Sequence, residues 1–211
     1  MSKIKPFRWG TVVLGKWNPA ILTPKGISEQ IFKKTGDIPV EVLVPLDAMG
    51  PSKVKIEGLF VTANFERLII DCEKNDWESL QKSREYCREA IASLPKTPVS
   101  AVGFNIRYEL DEPNSEFLEL LKPTLDDSIS DNFLEIAERQ TRRSLIWEGG
   151  TINLHIVTQA SSNYRILLNF DRKSVDNNVI KEWLEIPIAD VQAMTRKIMS
   201  SVLNICKEDE I

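Results

Sequence analysis

The residues of this chain best suited to chemistry fall on alternating strand positions rather than in a compact motif. Between Val102 and Leu110, the apolar residues Val102, Phe104, Ile106, Tyr108 and Leu110 alternate with Gly103, Asn105, Arg107 and Glu109. Alternation with period two sends one set into a core and turns the other set to the opposite face of a sheet. The same count turns Asn153 and His155 outward from Ile152, Leu154 and Ile156. It also turns Arg165, Leu167, Asn169 and Asp171 outward from Tyr164, Ile166, Leu168 and Phe170, and in an earlier strand it turns out Arg67, Ile69 and Asp71. Guanidinium groups grip carboxylates and phosphates with paired donors, and amides both donate and accept. Arg67, Arg107, Glu109, Asn153, His155 and Arg165 are therefore the expected binding residues. A face that is merely solvated shows the same alternation.

Catalytic signatures are absent. His155 is the only histidine, and its neighbours on that strand face are Asn153 and Val157, which form no acid–base relay. No metal site is expected, because Cys72, Cys87 and Cys206 have no Cys-x-x-Cys spacing and nothing completes a histidine-based set. The glycine-rich loops that cradle phosphates and the G-x-S-x-G elbow are both missing, so neither a cofactor nor a covalent mechanism is expected. Lys33-Lys34 reads as charge at a helix C-terminus and Arg142-Arg143 as the edge of a strand. Neither builds the basic stripe that nucleic acid requires.

The elements that must hold these positions can be read from caps, turns and periods. A strand spans Trp9 to Trp17, and Thr23-Pro24 opens a short helix through Ile27, Ile31 and Phe32 that Gly36 stops. Strands follow at Val40–Leu46, Val54–Phe60 and Leu68–Cys72. Asp76 caps a long helix with Trp77, Leu80, Cys87, Ile91 and Leu94 on one side. After the strand around Phe104, Pro113-Asn114-Ser115 opens a short helix through Phe117 and Leu121, and the acidic stretch Leu125–Asp131 reads as a loop. A strand ending at Trp147 turns at Gly149-Gly150 into the Ile152–Ile156 strand. The Tyr164–Phe170 strand follows. A polar stretch around Trp183 leads to a last helix with Ile188, Val191, Ile198, Val202 and Ile205 on its core face, then a solvated tail. Trp9, Trp17, Trp77 and Trp147 fit core packing, whereas Trp183, flanked by charge, is expected near the surface as a partner anchor.

Both halves thus read strand, short helix, three strands, long helix. Val61-Thr62 before Arg67–Lys74 matches Val157-Thr158 before Arg165–Arg172, and Pro24 and Pro113 open the two short helices. The expected fold is α+β, with two pseudo-repeated β-α-β-β-β-α halves, a mainly antiparallel sheet, and two long helices packed on one face. Residues 1–96 form the first half, 97–206 the second, co-folded with it, and 207–211 the tail. The element order resembles the duplicated halves of the TATA-binding protein saddle, a likeness of topology that no nucleic-acid-reading motif accompanies.

Composition bounds the function. With 27 Lys+Arg against 31 Asp+Glu the formal charge is −4, a poor default for phosphate backbones. No apolar run approaches the roughly 18 residues that span a bilayer, and the N-terminus lacks the apolar stretch of a signal peptide. The expectation is a non-enzymatic cytoplasmic interaction module with a protein partner or a second copy of itself, and with neither nucleic acid nor membrane. It uses the polar sheet face or an exposed strand edge. The alternative is a ligand-binding or enzymatic domain acting on an anionic small molecule.

Overall fold

A glutamate–glycine pair closes each of two tight hairpins. Glu57 and Gly58 have φ of 51° and 76°, and Glu148 and Gly149 have φ of 46° and 73°. Left-handed backbone at both central positions matches the twist of the flanking strands. In the computed structural model, which describes residues 3–34, 40–44, 51–159 and 163–206, these turns join strand Lys53–Ile56 to Leu59–Ala63 and strand Glu138–Trp147 to Gly150–Gln159. The strands are β1 (Lys3–Pro6), β2 (Gly10–Gly15), β3 (Glu41–Leu43), β4 (Lys53–Ile56), β5 (Leu59–Ala63), β6 (Arg67–Cys72), β7 (Val99–Asp111), β8 (Glu138–Trp147), β9 (Gly150–Gln159) and β10 (Tyr164–Lys173). Among the described residues there are six α-helices: α1 (Pro24–Gly26), α2 (Trp77–Ser93), α3 (Ser115–Leu121), α4 (Thr124–Asp131), α5 (Asn177–Glu185) and α6 (Ile188–Lys197). Wider π-turns, Ile27–Ile31 and Ile198–Val202, extend α1 and α6.

The fold is α+β with a mainly antiparallel sheet. Its strand order is β3-β4-β5-β6-β2-β7-β10-β9-β8, and β1 lies beside β7. Strands β1 and β2 run end to end along one edge of β7, because Arg8 takes a left-handed φ of 49° and turns the chain between them. Helix α2 packs on β2 and β6, and α5 packs on β7 and β10. The side chains beneath form one apolar cluster that includes Val13, Leu68, Ile70, Phe104, Ile106, Ile166 and Leu168. Among the described residues the other sheet face stays open, with Arg107, Leu167, Asn169 and His155 all half-buried.

Several sequence expectations are corrected. The single strand Val54–Phe60 is two strands, since Glu57 adopts a left-handed turn that its residue type does not advertise. Leu125–Asp131 is helical as α4. Asp126 and Asp127 sit in its first turn, where carboxylates favour the helix dipole, and Asp126 is ion-paired with Arg139. The stretch around Trp183 is α5, whose period brings Ile180, Trp183 and Leu184 to one buried face. Trp183 is 3% exposed and cannot serve as a surface anchor. Val202 is 48% exposed because the π-turn shifts the period, and Met199 and Leu203 are buried instead. Strand β1 had no signal in the sequence reading. Gly36, the far end of the Val40–Leu46 strand and the 207–211 tail lie outside the described residues.

The break between α5 and α6 has a specific partner. Arg84 of α2 is 2% exposed. It donates through Nη2 to the carbonyl of Ile186 in that break, and its guanidinium lies 4.6 Å from the Phe104 ring centre. A cation satisfies the carbonyl end of a helix, and the aromatic face adds attraction. Burial pushes the Arg84 pKa down to about 10, so the charge is retained at neutral pH at a cost. Arg84→Ala should therefore destabilise by about 2–4 kcal/mol, through lost packing and the orphaned carbonyl. Arg84→Met orphans the same carbonyl but keeps most of the apolar volume and removes the buried charge, so it should cost about 1 kcal/mol or less. Urea denaturation of both variants checks the difference.

Candidate functional site

Four neighbouring strands bring one residue each to the same level of the open face. Asn105 of β7 stands opposite Asn169 of β10, Asn169 opposite Asn153 of β9, and Asn153 opposite Ser144 of β8. Their side chains form a continuous chain of hydrogen bonds. Ser144 Oγ donates to Asn153 Oδ1 at 2.8 Å, Asn153 Nδ2 donates to Asn169 Oδ1 at 3.2 Å, and Asn169 Nδ2 donates to Asn105 Oδ1 at 3.0 Å. All the donors point the same way, so each bond polarises the next. Gly103 makes room for the row: a Cβ there would lie 2.7 Å from Asn169 Nδ2. Beside the Ser144 end, an open groove of about 370 Å³ is lined by residues that include Thr151, Asp171, Arg172 and Lys173.

On the other side of Asn105 the row meets a gap. The next strand, β2, places Gly10 there, and Gly10 in turn pairs with Asp71 of β6. The glycine is forced, since a Cβ would fall 2.8 Å from the Ile70 carbonyl oxygen and 2.9 Å from Asp71 Oδ1. The Asp71 carboxylate therefore leans over the glycine, half-buried in the sheet face. Burial raises its pKa above the ordinary carboxylate value, with Lys53, Arg107 and Arg8 pulling the other way. Arg107 sits one step along β7. It donates through Nη1 to the Arg8 carbonyl at 2.6 Å, and burial lowers its pKa against the pull of Asp71. The left-handed turn at Arg8 thus closes one end of the site. A non-glycine residue held in that conformation is a cost that functional sites often carry.

The expected binding residues divide between this centre and its surroundings. Arg107 belongs to the centre and Asn153 to the hydrogen-bonded row. Arg165 and Glu109 form an ion pair at 3.3 Å on the level beyond Arg107, and Arg165 also lies 5.9 Å from the Phe7 ring centre. His155 shares its level with Leu167 and Arg142, and its Nε2 is 3.3 Å from Gln140 Oε1. Burial, with Arg142 second, lowers the His155 pKa from its ordinary value, and Glu138 pulls the other way. Arg67 is exposed and distant from the row, opposite Leu14. Sequence reasoning placed Asp71 and Asn169 on this face without ranking them, and it missed Gly10. The signal for Gly10 was a glycine inside an apolar strand, which marks a close approach.

Among the described residues no group of three or more His, Cys, Asp or Glu side chains is arranged to hold a metal, and no helix is long and apolar enough to cross a membrane. The arrangement is one of complementary donors and acceptors on an open face. Compared with known proteins, the chain matches no family model and no curated sequence at a significant level.

The raised Asp71 pKa has a consequence for stability. An acid with a folded-state pKa above its unfolded value stabilises the fold when protonated, and that contribution is lost as pH rises through the raised value. Asp71→Asn should therefore raise Tm at neutral pH. The gain over the parent should vanish below the ordinary aspartate range, near about pH 3.5. Scanning calorimetry across this range checks both parts.

Proposed function

We propose that this protein is a non-enzymatic binding module whose open sheet face receives a protein partner around Asp71, Asn105 and Arg107. The observation that carries this reading is a half-buried carboxylate leaning over Gly10, on the same face as a half-buried guanidinium, where no described element covers them. Core packing does not require either charge. The face mixes signs: Lys53, Arg107, Arg142 and Arg165 share it with Asp71, Glu109 and Asp171. Such a mosaic suits a protein surface better than the single-sign field used for nucleic acid. Reduced cysteines fit the cytoplasmic setting expected from the sequence.

We infer further that the chain is a duplicated plan of two halves, 1–96 and 97–206, folded as one unit. What supports this is the strand order read outward from the central β2–β7 pair. One side runs β6, β5, β4 and the other β10, β9, β8, and each outer hairpin closes on a Glu-Gly turn. On this reading Gly10 corresponds to Asn105 and Asp71 to Asn169, so the asparagine row belongs to one half and the gap to the other. The second half completes its helix as α5 and α6 rather than one rod, because Pro187 interrupts it.

The strand edge offers a second surface. Strand β8 ends the sheet, with most of its ten residues exposed, and carries Arg139, Arg142 and Arg143. Basic side chains on an edge oppose pairing with another copy and leave room for an acidic strand.

The test compares captured proteins from native cells. Arg142→Ala with Arg165→Ala removes two exposed open-face cations; Arg107 is unsuitable because it also holds the Arg8 carbonyl. Exposed pairs contribute about 0–1 kcal/mol, so Tm should hardly move. A partner retained by the parent and by a helix-face control, Glu78→Ala with Lys82→Ala, should be lost by the open-face variant. Equal capture by all three would reject the open face as the binding surface.

A further inference from the structure

The row of side chains on the open face stops at an unfinished hydrogen bond. Asn105 accepts from Asn169 through Oδ1, and its Nδ2 donates to no described residue. Across Gly10, Asp71 accepts no hydrogen bond and makes no close ion pair with any described residue, although Lys53, Arg107 and Arg8 act on it at longer range. An unused donor and an unused acceptor thus flank a strand position that has no side chain and tolerates none.

Only some groups complete this chain. The occupant must accept from Asn105 at one end and donate to the Asp71 carboxylate at the other. A carboxylate has no proton to donate and meets Asp71 with like charge. An ammonium or guanidinium has no acceptor for Asn105. A hydroxyl carries acceptor and donor on a single atom, whereas a primary carboxamide carries them on two separate atoms in one plane and so matches two separate ends. Resting on the reading of the open face as a partner surface, we propose that the Gly10 gap is a subsite for a glutamine side chain of an extended peptide, which joins Asn105 to Asp71. The direction agrees along the whole row: Ser144 donates to Asn153, Asn153 to Asn169, Asn169 to Asn105, Asn105 to the ligand, and the ligand to Asp71.

The neighbouring arginine extends the specificity. Arg107 uses Nη1 for the Arg8 carbonyl, and its other guanidinium nitrogens have no described partner. Residues two apart in a strand are separated by roughly 6.5–7 Å on one face, in the protein and in an extended ligand alike. A glutamine over Gly10 therefore brings an acidic side chain two residues away to Arg107. The recognised pattern is a glutamine and an acidic residue two positions apart, laid along β7, and Gln-x-Glu is the order tested.

The experiment titrates isotope-labelled full-length protein with acetyl-Ser-Gln-Ser-Glu-Ser-amide, and with the control peptide in which Glu replaces the Gln. The side-chain amide signals of Asn105, Asn153 and Asn169 are followed by NMR. The Gln peptide should shift the Asn105 amide most and bind at least about tenfold tighter than the control, the worth of one hydrogen bond to a charged group. Asp71→Asn should abolish the preference between the two peptides. Gly103→Ala pushes the Asn169 amide aside and frees Asn105 to turn, so it should weaken the Gln peptide and leave the control unchanged. It supplies the test independently if Asp71→Asn misfolds. Equal affinities, with shifts confined to Arg107 and Arg165, overturn the subsite and leave the open face standing. No shift on the open face with either peptide overturns both.

Discussion

The structure depends on the pairing of β2 with β7. Strand β2 has β6 on its other side, so this one ladder makes a single sheet out of strands that would otherwise form two small ones. Small open sheets with an uncovered edge are marginal, and joining them removes two edges at once. The ladder also fixes the chemistry of the open face. Its register sets Gly10 beside Asn105, the β2–β6 register sets Gly10 beside Asp71, and a one-residue slip of β2 would turn Gly10 to the buried face and bring Thr11 or Trp9 to the open one. Close approach of the β6 backbone excludes any side chain at Gly10, so the gap in the polar row is built into the packing of the sheet.

The two faces meet opposite demands. Beneath the helices, Phe104 stacks on Phe170 at 5.0 Å between ring centres, and Trp147 and Trp183 close around them. This side is apolar, and among the described residues the one charge buried in it, Arg84, is held by a carbonyl and an aromatic face. That contact ties α2, on the β2 and β6 side, to the break between α5 and α6 on the β7 and β10 side. The helical layer therefore bridges the same junction that β2 and β7 make in the sheet. A stiff layer behind the sheet keeps the outward-facing groups in register, which suits a face that presents aligned donors and acceptors.

Much of this architecture was legible in the residues. Alternation placed Arg107, Glu109, Asn153, His155 and Arg165 on the open face because each strand has one strongly apolar set, and Asp76 and Asn114 announced the helices they cap. What escaped had a physical reason in each case. The turn at Glu57 is left-handed at a residue type that seldom adopts it. Helix α4 looked like a loop because its carboxylates are compensated by the dipole, by Arg139 and by Lys122 just before the helix rather than by basic residues within it. Trp183 looked exposed because its neighbours in sequence are charged, whereas burial in a helix follows neighbours three and four away. The site itself was only half legible. Single strands show which way side chains point, but the asparagine row exists only once four strands are in register, and the gap at Gly10 only once a fifth is added.

The most direct test of the central claim asks which face touches the partner in the cell. A photoreactive phenylalanine analogue at Leu167 or Val12 samples the open sheet face, and the same group at Gln81 or Glu89 samples the outer side of α2. The account predicts that irradiation joins one and the same protein to both sheet-face positions, with no adduct at the helix positions. Adducts formed from α2 and absent from Leu167 and Val12 would contradict it.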